Sequence, residues 1–267
     1  MRSLFTSLAV ALFVASSAVA GVTYDFSSVS TGASSGTING SVKAEGSNLR
    51  VDISRGDGVM FENGSWVVSK DGGKTLQVVN PTAKTYYVLN LAELLGGANS
   101  LLQSLGGAGV KLDVRNPKVS VNNGGSGGTL EGYPTKKSTI TSAYEIAVSG
   151  LGRPMSMNVQ LTTDVWWTDK LPAEFTNFLQ MQGTRTGLDM VDKLIEAERG
   201  TIKGFPLKQI TTTKMNFGGT DMTSTTTSTV TNVKQVAVAA NTFAVPSGFT
   251  QTQSPLEKMM SGLGARR

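Results

Sequence analysis

Two neighbouring stretches of this chain alternate apolar and polar residues for longer than most strands do, which commits the chain to an architecture of long β-strands. Ile140, Ser142, Tyr144, Ile146 and Val148 alternate with Thr139, Thr141, Ala143, Glu145 and Ala147. Met155, Met157, Val159, Leu161 and Val165 repeat the pattern through Trp166-Trp167. A period of two puts each set on one side of a sheet. A strand over residues 155–167 runs about 40 Å at roughly 3.3 Å per residue, and strands that long bend or coil. The same period recurs at Val22-Tyr24-Phe26, at Ile38, Val42 and Ala44, and at Leu49, Val51 and Ile53. Asn63-Gly64 between Val59-Met60-Phe61 and Trp66-Val67-Val68 is a hairpin signal. Leu76–Val79 and Thr85–Leu89 read as strands on either side of the Asn80-Pro81 turn. Beyond residue 204, Thr211, Thr213, Met215 and Phe217 share a face, and the Thr/Ser-rich run 223–231 suits an exposed strand.

Three stretches carry a helical period instead. Leu91, Leu94, Leu95, Ala98, Leu101, Leu102 and Leu105 fall on one helix face. Gly96 and Gly97 interrupt it, each at a cost of about 1 kcal/mol relative to Ala, which predicts a Leu-faced helix able to swing open as a lid. Pro172 suits a helix start, followed by Phe175, Phe178 and Leu179 on one face, and Leu188, Val191, Leu194 and Ile195 predict a third helix closed by Gly200. The Gly/Asn/Ser run 122–128 reads either as the tip of a long hairpin or as a domain linker. Glu131-Gly132-Tyr133-Pro134 resembles Lys203-Gly204-Phe205-Pro206, and reads as one strand-starting device used twice.

Composition narrows the function. The 267 residues include no Cys and no His, which excludes disulfides, thiolate and imidazole metal sites, catalytic cysteines and Ser-His-Asp triads. The net charge of +5 is spread along the chain, with Lys136-Lys137 and Arg266-Arg267 the only adjacent basic pairs. Nucleic-acid binding is not expected without a basic stripe. Arg2, the apolar run Leu4–Val14 and the small residues Ala18-Val19-Ala20 predict a signal peptide over residues 1–20, cleaved before Gly21. That run is too short to span a bilayer, so no stable membrane span is expected after cleavage. Residues 21–250 read as one domain and 251–267 as a flexible tail.

Candidates for chemistry fail one by one. Gly73-Lys74-Thr75 lacks the earlier Gly of a phosphate loop, since position 68 is Val68. Asp164 and Asp169 flank Trp166-Trp167 as a sugar site would require, but a strand followed by a turn accounts for both. Asp57, Glu62 and Asp71 match no calcium-loop spacing. No catalytic residue, cofactor or metal is therefore expected.

Arg50-Val51-Asp52, the segment from Asp71-Gly72-Gly73-Lys74 through Asn80-Pro81 to Tyr86-Tyr87, Asp164-Val165-Trp166-Trp167-Thr168-Asp169, and Gly204-Phe205-Pro206-Leu207-Lys208 together resemble a family of exported bacterial domains of unknown function. Those domains are similar in fold to the periplasmic lipoprotein-localisation carriers, LolA and LolB. The resemblance implies a mainly β fold, an antiparallel sheet wrapped as an incomplete barrel, with two or three helices on its concave face. It also implies a cavity for an acyl chain and no catalytic residue. The expected groove is lined by Met155, Met157, Val159, Leu161, Phe175, Phe178 and Leu179, beneath a lid of Leu91, Leu94, Leu95, Gly96, Gly97, Leu101 and Leu102. The expectation is thus a non-enzymatic periplasmic protein binding a lipid, a lipoprotein acyl chain or another hydrophobic ligand. Its rivals are an envelope-interaction protein with a filled core and an outer-membrane β-barrel.

Overall fold

The computed structural model describes residues 21–33, 35–56, 62–90, 111–150, 155–171, 202–255 and 257. They form one 12-stranded sheet. Its first meander is β1 (Val22–Gly32), β2 (Gly36–Glu45), β3 (Asn48–Arg55), β4 (Trp66–Ser69), β5 (Thr75–Asn80) and β6 (Thr85–Asn90). Its second is β7 (Lys111–Leu130), β8 (Tyr133–Ser149), β9 (Met155–Thr168), β10 (Phe205–Phe217) and β11 (Thr220–Gln235). Short β12 (Thr250–Gln251) pairs in parallel with β6, and every other pairing is antiparallel. The meanders join where β1 pairs with β11, giving the order β12-β6-β5-β4-β3-β2-β1-β11-β10-β9-β8-β7. The sheet is therefore open, with β12 and β7 as its edges, and is not closed into a barrel.

The alternation read from sequence places the core. Val22 and Tyr24 of β1, Val42 and Ala44 of β2, and Val51 and Ile53 of β3 are buried on one face, joined by Val67, Val78, Leu89, Phe205, Leu207 and Val230. Tyr24 and Phe205 meet edge-on with centroids 5.3 Å apart. Leu130 and Tyr133, at the β7–β8 turn, pack against the same cluster. A second cluster lies on the other face of β4 and β5, where Trp66, Val68 and Val79 are covered by Phe243 of a 3-10 turn (Ala240–Phe243). Arg50 stacks over Trp66 at 4.0 Å there.

Several expectations need correction. The two or three helices on a concave face are not borne out among the described residues; the segments 91–105, 172–179 and 188–200 that carried them lie outside those residues. What helical structure is described is the 3-10 turn and the start of a helix at Pro255, where Ser254 and Glu257 cap each other reciprocally through backbone N–H groups. That start and β12 fall within or beside the stretch expected as a tail. Residues 122–128 are neither a hairpin tip nor a linker. They belong to the 20-residue edge strand β7. Its register against β8 shifts at three places, two of them inside the Gly-rich run. Glycine there lets the strand bulge and stay paired. The hairpin actually turns at Glu131-Gly132, both at positive φ (52° and 80°), the twist-matched two-residue turn. Residues 1–20 lie outside the described residues.

Candidate functional site

Directly opposed residues of antiparallel neighbours share a face, so the registers turn strands into rows. Tyr144, Val159, Met215 and Met222 stand abreast on β8, β9, β10 and β11. Two residues further out lies Ile146, Met157 and Phe217, then Val148 and Met155; two residues inward lies Ser142, Leu161 and Thr213. The sequence-chosen residues Met155, Met157, Val159 and Leu161 therefore share the face that carries the core, and the structure adds Met215, Met222 and Phe217 beside them. Packing thins along the face: Val159 is 6% exposed, Met155 38% and Phe217 44%. Phe175, Phe178 and Leu179, and the lid residues Leu91, Leu94, Leu95, Gly96, Gly97, Leu101 and Leu102, lie outside the described residues.

The opposite face of the same strands is polar. A trough of about 690 Å³ crosses it between one row holding Lys118, Gln160 and Lys214 and another holding Glu145, Asn158 and Asn216. The far half of the sheet is thus two-faced in chemistry, apolar on one side and amide- and charge-bearing on the other.

At the other end of β8–β10 the character changes again. Lys137, Trp166 and Lys208 lie abreast on the polar face, with the two ammonium groups 4.7 Å and 5.1 Å from the Trp166 ring. On the core face Lys136 stands 5.1 Å over Trp167. The Trp167 Nε1 donates to Ser138 Oγ at 3.1 Å, and Ser138 donates to Asn123 at 2.9 Å. A cavity of about 730 Å³ opens there, walled by Trp167, Lys136, Lys137, Asp169, Lys170 and Lys203. Sequence reading missed this cluster because its lysines are scattered from position 136 to 208; the adjacent pair Lys136-Lys137 was its only local trace.

The flanking aspartates are each paired with a lysine. Asp164 accepts from Thr139 and pairs with Lys137 at 3.1 Å on the polar face. Asp169 pairs with Lys136 at 2.9 Å on the side of the cavity. The Thr139 hydroxyl and the Lys137 ammonium hold the Asp164 carboxyl below the usual carboxylate range. Lys136, with a smaller contribution from Lys170, does the same for Asp169. Both stay charged at neutral pH, as partners of lysines. Among the described residues no group of three acidic, His or Cys side chains could hold a metal ion.

Residues 30–249 match the family described as Domain of unknown function (DUF4412). No curated protein matches the chain. Among solved structures, a LolA superfamily protein from Nitrosomonas europaea is 9% identical, with 85% of this chain and 90% of that one covered and a TM-score of 0.31. The structure of PNGF-II is 12% identical, with 90% of this chain but 32% of that one covered and a TM-score of 0.34.

Proposed function

We propose that this chain, which belongs to the DUF4412 family, binds a lipid, an acylated molecule or another hydrophobic ligand and catalyses no reaction. One observation carries this reading. The apolar face continues beyond the packed core as rows containing Met157, Met215, Met222 and Phe217, and there it is only partly covered. Methionine is unbranched and polarizable, so a face rich in it adapts to flexible chains rather than to one rigid shape. Partly covered apolar area of this kind gains about 25 cal/mol per Å² when a ligand takes it from water.

The reading includes export to the periplasm, resting on the apolar run Leu4–Val14 and the small residues Ala18-Val19-Ala20. No helix among the described residues is long and apolar enough to cross a membrane. The outer-membrane barrel is disfavoured on other grounds: an open sheet edge in lipid would leave backbone groups without partners. The filled-core rival draws support from the middle of the same face, where Ile140, Ser142 and Val165 are 5%, 2% and 0% exposed.

Titration with a fluorescent fatty acid separates the two. The wild-type protein is expected to bind it at micromolar concentration, and Phe217→Lys to lose that binding without a change in melting temperature. Thr212→Lys, on the opposite face, is expected to bind as wild type does. A wild-type protein that leaves the probe unbound has a filled face, and the structural reading then stands.

A further inference from the structure

We propose that the Lys/Trp end of β8–β10 is a docking surface for an anionic lipid bilayer, on which the sheet stands strand-end down. Lys136 and Lys137 lie near the start of β8, Trp166 and Trp167 near the end of β9, and Lys208 near the start of β10, while Lys170 and Lys203 flank these strands. All of them therefore gather at one end of three adjacent strands. Five lysines face only Asp164 and Asp169 in this cluster, a local surplus of three positive charges. Among the described residues Lys203 and Lys208 have no acidic partner, and Lys170 has only a loose one at 3.7 Å. The lysines that are paired remain accessible: the side chains of Lys136 and Lys170 are 56% and 63% exposed.

The placement of these charges on both faces selects the partner. Lys137, Trp166 and Lys208 are on the polar face and Lys136 and Trp167 on the other, while the cavity is walled by Lys136, Lys137, Lys170 and Lys203. A small anion seated in that cavity would leave Lys208 idle. A planar charged surface meeting the strand ends engages both faces at once. The partly exposed Trp166 beside Lys137 and Lys208 is also the chemistry of the membrane–water boundary, where the ring takes the interfacial region and the ammonium reaches phosphate. Lysines near an anionic leaflet contribute about 1 kcal/mol each, or roughly five-fold in partitioning.

Co-sedimentation with vesicles tests the surface. The wild-type protein is expected to bind vesicles containing about one-third phosphatidylglycerol in phosphatidylcholine far better than pure phosphatidylcholine, and to be released at high salt, where charges are screened within a few ångström. Lys170→Gln/Lys203→Gln/Lys208→Gln is expected to lower partitioning on the order of 100-fold, at about five-fold per lysine. Lys84→Gln/Lys118→Gln/Lys214→Gln loses the same charge elsewhere and is expected to bind within a few-fold of wild type. Lys203→Gln alone, at an exposed residue outside the strands, is expected to give the single five-fold step, and keeps the test alive if the triple variant misfolds. Equal binding to both vesicle types, or equal losses in the two triple variants, overturns the proposal. So does release by millimolar inorganic phosphate but not by chloride of equal ionic strength, which would make the cavity a small-anion site.

Discussion

A Cβ on Gly204 would collide with the Thr168 carbonyl oxygen and lie 2.6 Å from the Trp167 ring. Gly132 meets nothing within 4 Å but sits at φ +80°. The two glycines precede similar aromatic-Pro pairs, yet one is required by close approach of β9 and the other by the left-handed backbone of a hairpin turn. Local sequence likeness could not separate them, because the collision partner of Gly204 lies some 36 residues away, at Thr168. Asparagine distinguishes the causes, since it tolerates positive φ but not a collision. In denaturant unfolding, Gly132→Asn is expected to lie near wild type, whereas Gly204→Asn loses about 1–3 kcal/mol or more, the cost of overpacking.

Strand β4 has four residues, Trp66 to Ser69, and every one is buried. The contiguous apolar run Trp66-Val67-Val68 announces such a strand, because burial on both sides replaces alternation with a continuous stretch. What covers its second side was not legible. Phe243 does so, 2% exposed, from a 3-10 turn that follows the last long strand. Phe243→Ala is therefore expected to cost about 3–5 kcal/mol, measured by denaturant unfolding, as large-to-small changes at buried aromatic sites do. The long strands β8 and β9 were plain from their alternation. Strand β7 was not, since its Gly, Asn and Ser residues are the composition of loops; it is held in the sheet by its pairing with β8, which runs from Lys111 to Leu130 and is interrupted only at three register shifts.

Across the whole molecule, β1 joins the two meanders by pairing with β11 some 200 residues later. Carboxylates in both halves stabilise the folded state. Partial burial pushes Asp52 upward, but hydrogen bonds and charge from Arg50 and Lys43 outweigh it and leave its carboxyl below the usual range. Partial burial likewise pushes Asp71 up, and the Thr75 backbone N–H with Ser69 outweighs it. Asp164 and Asp169 are lowered by their own partners. A depressed folded-state value adds stability above the unfolded carboxylate pKa and loses it as pH falls through the folded one. The melting temperature is therefore expected to hold from neutral pH to about 4 and to drop below it. Asp52→Asn is expected to be less stable at neutral pH and to show a shallower acid loss, read by thermal melts across that range. Period-two patterning determined that the chain makes long strands and that Met155, Met157, Val159 and Leu161 share a face, because side-chain alternation follows from the local geometry of an extended backbone. Only the tertiary structure decided that Met215 and Met222 stand beside Val159, that β7 and β12 are the edges, and that Lys136-Lys137 and Lys208 meet around Trp166-Trp167. Those facts depend on which strands pair and in what register, and pairing is set by contacts between residues far apart in the chain.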